Sequence, residues 1–482
     1  MGLGDLGDLG DLGDERTAPP SRVVIVGAGF GGLAAAEELA DAPVEVILVD
    51  RHNYHTFQPL LYQVATAGLS AADVAHPVRN IFQRQPNLDF RQATVTGCDW
   101  RDQTLRTEDV EGHEHRLPFD HLIVAAGATT NFFDIDGAAE HAHPLYNLVD
   151  AVALRNHILQ RFEAAAADPS LVDDGALTFV VVGGGPTGVE TAGALAELFH
   201  QVLRHDFRTL DVGRARVLLL EMTDHLLTPF KPRQRNYAVD TLRRRGVEVR
   251  VGEAVASVGP TTVALRSGEV IAAHTLVWAA GVQANPVAAA LGVPTGASGR
   301  ISVDPDLRIQ GHTAAFAVGD VAAITAGQRG GRRGGRKGDR RTGPAAPAPV
   351  LPQLAPVAMQ SGHHAAEQVR RLLAGQTTRP FHYTDKGIMA TIGRRAAVAE
   401  LPLGIDLRGT PAWMAWLGLH LVFLVGFRNR VSVFVNWAWN YLTWDRGPRL
   451  ILTPPRTEGA SPGGVTERAI RSATPEPEAS VH

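Results

Sequence analysis

The chain has 482 residues, with 46 basic side chains against 50 acidic ones and 45% hydrophobic residues, enough for about three folding units with real cores. Gly and Pro together, 50 and 30 residues, fall well short of a low-complexity composition. The single cysteine, Cys98, excludes a disulfide scaffold, a Cys-based zinc site and a dithiol redox centre.

In chain order, residues 1–20 repeat Leu-Gly-Asp and end in Pro19 and Pro20, which reads as a disordered tail. The start has neither a basic cluster nor an apolar run, and Leu6 stands where a myristoylation signal needs Ser or Thr, so no export signal is expected. A β-branched run, Val23 to Val26, then enters Gly27-x-Gly29-x-x-Gly32, followed by an Ala-rich helix from Leu33 to Ala40. The first glycine makes the turn, the second admits a pyrophosphate to the backbone, and the third lets helix pack on strand. A second strand, Val44 to Val49, ends at Asp50, close to the spacing of about 20 residues expected of an acid that binds a ribose hydroxyl.

The pattern then repeats. Val24 to Gly32 recurs as Val180 to Gly188, and Leu122-Ile123-Val124-Ala125-Ala126-Gly127 recurs as Leu276-Val277-Trp278-Ala279-Ala280-Gly281 at nearly the same offset. Two units of one α/β build follow from this. The second has strand Thr178 to Val182, the loop Gly183-x-Gly185-x-x-Gly188, a helix from Val189 to about Val202, a loop from His200 to Val212 and strand Arg216 to Leu220 ending at Glu221. That acid comes late, and a carboxylate there would repel a 2'-phosphate and favour NADH over NADPH. Two dinucleotide sites in one chain imply an electron relay from a nicotinamide to a bound flavin.

With these motifs the chain resembles the two-dinucleotide-binding-domain flavoproteins. The resemblance implies FAD in the first site, held by Gly27, Gly29, Phe30, Gly31, Gly32, Asp50, Ala126, Gly127, Gly319 and Asp320. It implies NADH in the second, held by Gly183, Gly185, Thr187, Gly188, Glu221, Ala280 and Gly281. Ala317-Val318-Gly319-Asp320 looks like the group's second FAD signature and marks a return to the first unit. The implied fold is α/β: two Rossmann-like domains, with the NADH domain inserted in the FAD domain, and a C-terminal membrane-associating helical segment.

A lone cysteine removes disulfide reductases and sulfide:quinone reductases. The resemblance narrows to the type II NADH dehydrogenases, single-chain NADH:quinone oxidoreductases. It rests on Phe57-Gln58-Pro59-Leu60-Leu61-Tyr62-Gln63-Val64-Ala65, on Gly183 to Glu190, on Leu276 to Gly281, on Leu354-Ala355-Pro356-Val357-Ala358-Met359-Gln360 and on His420 to Leu452. It implies that Ala355, Pro356 and Gln360 face the quinone, and that Glu190 and Gln360 serve proton delivery and quinone orientation. Two plainer readings stay open: Thr187-Gly188-Val189-Glu190 is also a capping box, and Gln360 opens an amphipathic segment through Val369 that could face solvent. The 19 histidines show no ligand spacing with acid or cysteine partners, so no metal is expected.

From Gly327 to Val350 runs a low-complexity segment with Arg329, Arg332, Arg333, Arg336, Lys337, Arg340 and Arg341 against Asp339 alone. It reads as a basic insertion and carries no argument for nucleic acid. Near the end, the apolar stretch from Ala412 to Phe427 is too short to span about 30 Å of hydrocarbon as a helix. Five of the seven tryptophans (Trp413, Trp416, Trp437, Trp439 and Trp444) lie here with Arg428, Arg430, Arg446 and Arg449. That density suits a monotopic helix pair in a membrane interface, with a buried hairpin or a homodimer interface as the alternative.

The expected division is residues 21–150 and 300–385 for FAD, 151–299 for NADH, 386–453 for the membrane-associating region and 454–482 for a second disordered tail. The expected activity is non-pumping NADH:quinone oxidoreduction at the cytoplasmic face of the cell membrane, with menaquinone favoured on composition alone. A soluble NAD(P)H oxidase or reductase of oxygen or an iron-sulfur protein, and a non-catalytic flavin-binding sensor, are the alternatives.

Overall fold

The computed structural model describes residues 19–325, 350–443 and 447–452. The Leu-Gly-Asp repeats, the basic insertion from 327 to 349, Trp444, Arg446 and the final tail lie outside the described residues.

A run such as Val23 to Val26, apolar at every position, needs burial on both faces, which a parallel sheet between helices supplies. It forms the core of β1 (Ser21–Val26). α1 (Phe30–Glu38) begins three residues before the predicted start, because extended Gly29 serves as its N-cap. β2 (Val44–Asp50) follows, then a single-turn helix α2 (Leu61–Ala65), and β3 (Leu88–Asp99), β4 (Thr104–Asp109) and β5 (Glu114–Pro118), with β6 (His121–Val124) closing the first pass. After a crossing strand β7 (Ala128–Thr130) come β8 (His143–Pro144), α3 (Leu148–Ala167), β9 (Thr178–Val182), α4 (Pro186–Glu197), β10 (Arg216–Glu221), β11 (Val247–Val251) and β12 (Thr275–Trp278). β13 (Val282–Ala284) crosses back to β14 (Ala315–Ala317) and α5 (Ala355–Leu373).

The first sheet has the order β14-β6-β1-β2-β3-β4-β5, parallel through β3 and then an antiparallel meander. The second is wholly parallel, in the order β8-β12-β9-β10-β11. The repeated motifs occupy matching strands, and β14 rejoins the first sheet only after the second is complete, so the second unit is inserted in the first. The two crossings pair with each other, Val282 to Ala284 against Thr130 to Ala128. Both come earlier in the chain than the predicted limits of 151 and 299: His143–Pro144 already belongs to the second sheet, while Val287, Leu291 and Val293 pack in the core of the first. A paired ribbon satisfies both crossing backbones at once.

The helix after the second glycine loop also differs from expectation. α4 starts at Pro186, and beyond Glu197 the chain continues through a π-helical turn, Leu198–Leu203, and a last helical turn to Asp206. This extra length accounts for the late arrival of Glu221.

The C-terminal region is not only helical. Three antiparallel strands, β15 (Ile388–Gly393), β16 (Ala396–Leu401) and β17 (Ile405–Arg408), precede α6 (Thr410–Phe423) and α7 (Phe427–Thr443). Small residues let this sheet lie directly on α4: a Cβ on Gly193 would stand 2.1 Å from the Ile392 carbonyl oxygen. Ala412 and Trp413 of α6 then pack on Ala397 and Ala399 of β16. Thr325 and Val350, which flank the basic insertion in sequence, pair with each other.

Gly193→Val is expected to force β15 off α4, destabilising the protein by about 1–3 kcal/mol as an overpacked contact. Denaturant unfolding measures this, and an unchanged midpoint would mean that the sheet does not rest there.

Candidate active site

Each glycine loop is shaped by close backbone contacts. Gly27, at φ +104, donates its N–H to Val49 O at 2.7 Å, and a Cβ there would stand 2.5 Å from Ala125 O. Gly183, at φ +112, donates to Leu220 O at 2.9 Å and is equally close to Ala279 O. Gly32 and Gly188 press on Gly27 O and Gly183 O in the same way. The middle glycines are different. Gly29 and Gly185 have ordinary extended φ, and nothing in the protein lies within 4 Å of where a Cβ would be. The fold does not require glycine at these two positions, but an anion seated against the helix N-terminus would.

The acids also match. The Asp50 carboxylate accepts from Ala28 N and His52 N, both at 2.7 Å. The Glu221 carboxylate accepts from Gly184 N at 2.6 Å and Thr223 N at 2.8 Å. Despite their unequal spacing in sequence, both stand at the end of the second strand, beside the first glycine.

One large cavity opens on the first loop. Gly27, Gly29, Phe30, Gly31 and Asp50 line it, together with Ala126, Gly127, Gly319, Asp320 and Ala355. Gly32 lies beneath the loop as a packing residue. Sequence reasoning missed Tyr146, which belongs to no motif. Its hydroxyl accepts from Ala128 N at 3.1 Å and donates to Asp320 Oδ2 at 3.5 Å, and burial pushes the Asp320 carboxyl above its usual range. Cys98 stands away on β3, its thiol pushed up to about 12 by burial, and is no nucleophile.

At the second loop, Thr187 is exposed in the first turn of α4, and Gly281 is covered by the Phe133 ring, 2.7 Å from where a Cβ would stand. Ala280 is half-buried next to it.

Glu190 is not part of a capping box. The helix is capped at Gly185, which makes Glu190 the fifth helical residue and turns it inward. Its Oε1 accepts from Thr391 N of β15 at 3.2 Å, and the indole N–H of Trp416 on α6 also favours its charged form. Burial outweighs both and pushes the carboxyl up to about 8. An aromatic run joins this carboxyl to the cavity: Phe30 meets Phe57 at 5.8 Å, Phe57 meets His420 at 6.1 Å, and His420 stacks on Trp416 at 4.1 Å. His420, pushed down to about 4 by burial, is neutral.

α5 brings Ala355 to the cavity wall with Pro356 in its first turn. Gln360, one turn on, is committed elsewhere. Its Nε2 donates to Thr384 O and its Oε1 accepts from Thr384 N, both at 3.0 Å, clamping the irregular segment that leads into the C-terminal sheet.

Residues 21–362 match the family model described as pyridine nucleotide-disulphide oxidoreductase, and residues 386–444 match the NDH2 C-terminal domain. The chain is 37% identical over 449 residues to the type II NADH:quinone oxidoreductase Ndh of Mycobacterium tuberculosis, covering 90% of this chain and 91% of that one. It is 28% identical to the type II NADH:quinone oxidoreductase of Staphylococcus haemolyticus, over 81% of this chain and 92% of that one. Its fold is similar to a solved structure of NDH2 from Plasmodium falciparum in complex with NADH, with a TM-score of 0.80 at 20% identity over 90% of this chain and 100% of that one.

Gly29→Val is expected to leave the fold intact, because nothing in the protein lies within 4 Å of the added Cβ, yet to yield a protein without bound flavin. A correctly folded, fully yellow variant would show that no cofactor approaches this backbone.

Proposed function

The chain belongs to the type II NADH:quinone oxidoreductases, and on that premise we propose how its residues divide the work. FAD occupies the cavity on the first glycine loop. Two features support the fit: the open space over Gly29 suits a pyrophosphate, and Asp50 and Asp320 both line the cavity. When bound, FAD supplies acceptance of a hydride and release of two electrons. Asp50 orients its ribose and Asp320 its flavin side, with Tyr146 holding Asp320. NADH takes the second loop at Gly183, Gly185, Thr187 and Gly188, against Ala280 and Gly281, where Glu221 accepts ribose hydroxyls and repels a 2'-phosphate. We take the paired crossings near residues 130 and 284 as the domain limits.

Quinone gains two electrons and two protons, of which the hydride of NADH brings one proton, and Glu190 is the residue we assign to delivering the other. The observation that carries this is its burial as a carboxylic acid at the end of the aromatic run, protonated at neutral pH and not engaged with any basic side chain. Ala355 and Pro356 form the quinone-facing wall. Gln360 acts by fixing the Thr384 backbone beside it.

Attachment to a membrane surface is supported by the inverted amphipathicity of α7. Asn429, Ser432, Asn436 and Asn440, at helical spacing, turn toward the body and bond Ala72 O, Ala75 O, Asp73 and Gly68 O. Val431, Phe434, Val435, Trp439 and Leu442 are exposed. Each such side chain contributes about 1.5–3 kcal/mol when taken fully out of water, so this face suits lipid. Among the described residues no helix is long and apolar enough to cross a membrane. We therefore place the protein as a monotopic, non-pumping enzyme on the cytoplasmic face.

Anaerobic reduction by NADH followed by addition of quinone tests the assignment: rapid bleaching, then rapid reoxidation, is expected. Because the raised Glu190 pKa keeps the acid loaded below about pH 8, reoxidation by quinone should hold up to that pH and decline above it. Glu190→Gln should slow this step about 100-fold or more and remove the alkaline limb, while bleaching by NADH persists. The same shift has a stability consequence: a raised carboxyl favours the fold below its unfolded value, and this contribution is lost as pH rises toward 8. Phe434→Asp with Val435→Asp should release the protein from floated liposomes without loss of NADH oxidation by water-soluble quinones. Continued flotation would move the membrane-facing surface elsewhere.

A further inference from the structure

The residue after the first glycine is held through both its N–H and its carbonyl in each loop. In the second copy the Gly184 N–H donates to Glu221 at 2.6 Å, and the Gly184 carbonyl oxygen accepts from the main-chain N–H of Leu227 at 2.8 Å. In the first copy the matching residue, Ala28, donates to Asp50 at 2.7 Å, but its carbonyl oxygen is met by a side chain, His55 Nδ1, at 2.9 Å. His55 lies in the short strand Tyr54–Thr56. Tyr54 and Thr56 line the cavity, whereas His55, between them, turns the other way and is only 2% exposed. The ring of Phe30, itself a lining residue, packs edge-on against it at 5.2 Å. A carbonyl oxygen only accepts, so Nδ1 carries the proton. Nε2 is buried and has no hydrogen-bond partner, which leaves the contact with the loop as the imidazole's one hydrogen bond among the described residues.

We propose that His55 is a positioning residue for FAD: by donating from Nδ1 to Ala28 O it fixes the peptide between Ala28 and Gly29 and so presents the open Gly29 backbone to the cofactor's pyrophosphate. The Ala28 carbonyl and the Gly29 N–H belong to one planar trans unit and point in opposite directions, so a donor that holds the first sets the direction of the second. The imidazole thus does for the first loop what the Leu227 amide does for the second. This rests on the reading given above that FAD fills the cavity.

The test removes the donor and then restores it. His55→Leu keeps an apolar side chain and loses the N–H, whereas in His55→Asn the side-chain amide reaches the place of imidazole Nδ1. FAD affinity is read from the flavin fluorescence released when the holoenzyme is diluted. The leucine protein should hold FAD about tenfold more weakly, and the asparagine protein within about threefold of the unaltered one. With FAD in excess, both should bind NADH as before, since Gly184 is held by main chain. Nitrogen-15 NMR of the histidine-labelled holoenzyme, with the His55 signals identified by their loss in His55→Asn, should show a protonated Nδ1 and a bare Nε2, and it decides the matter even if the leucine protein does not fold. A bare Nδ1, unchanged FAD affinity in the leucine protein, an asparagine protein no better than it, or equal loss of FAD and NADH binding would overturn the proposal. The FAD assignment itself would still stand if Gly29→Val loses its flavin, and would fall if that variant keeps it.

Discussion

A carbonyl oxygen pressed against a residue without a side chain underlies both halves of this molecule. Ala125 O beneath Gly27 and Ala279 O beneath Gly183 bring the strand that closes each sheet into contact with the strand that opens it. That contact forces a positive φ at the glycine, which turns the chain so that its next residues start a helix aimed away from the strand ends. The second strand then delivers an acid to the free amide beside the turn, Asp50 to Ala28 and Glu221 to Gly184. Turn, helix N-terminus and carboxylate are thus one construction, made twice.

The two copies work together only because of what lies between them. The paired crossings fix one unit against the other through main-chain hydrogen bonds. The C-terminal sheet lies on α4 of the second unit, while the polar face of α7 is hydrogen-bonded to Gly68, Ala72, Asp73 and Ala75 of the first. The tail therefore braces both units as well as presenting an apolar surface. Trp413, Trp416 and Trp437 serve this brace: all three are buried, Trp437 donating to Gln63 Oε1 at 2.8 Å. Only Trp439, among the described tryptophans of this region, is strongly exposed.

Burying Glu190 in this brace has an energetic cost that a purely structural site would avoid. A carboxyl taken out of water resists ionisation, and the two donors that favour its charged form do not offset the burial. A group held in that state at the meeting point of three separate elements is suited to exchanging protons, and poorly suited to holding the fold together.

The sequence alone determined the local chemistry: a β-branched run into a glycine triplet dictates strand, turn and helix, and its recurrence dictates a second copy. Asp50, Asp320 and both glycine loops were legible for that reason, since each is fixed by neighbours close along the chain or by an internal match. Even Glu221 was legible, and its late position called for a longer helix and loop, although not for the π turn that lengthens the helix. What the tertiary structure decided was every contact between distant segments. Tyr146 belongs to no motif and meets Asp320 only across the cavity, and Gln360 spends its amide on a backbone that sequence places in no fixed relation to it. The strands at 388–408 were hidden because small residues such as Ala396 to Ala399 carry little strand signal until α4 and α6 cover them. The tryptophans misled for a related reason: composition reports how much apolar surface a segment has, but only packing decides which side of the helix faces the protein.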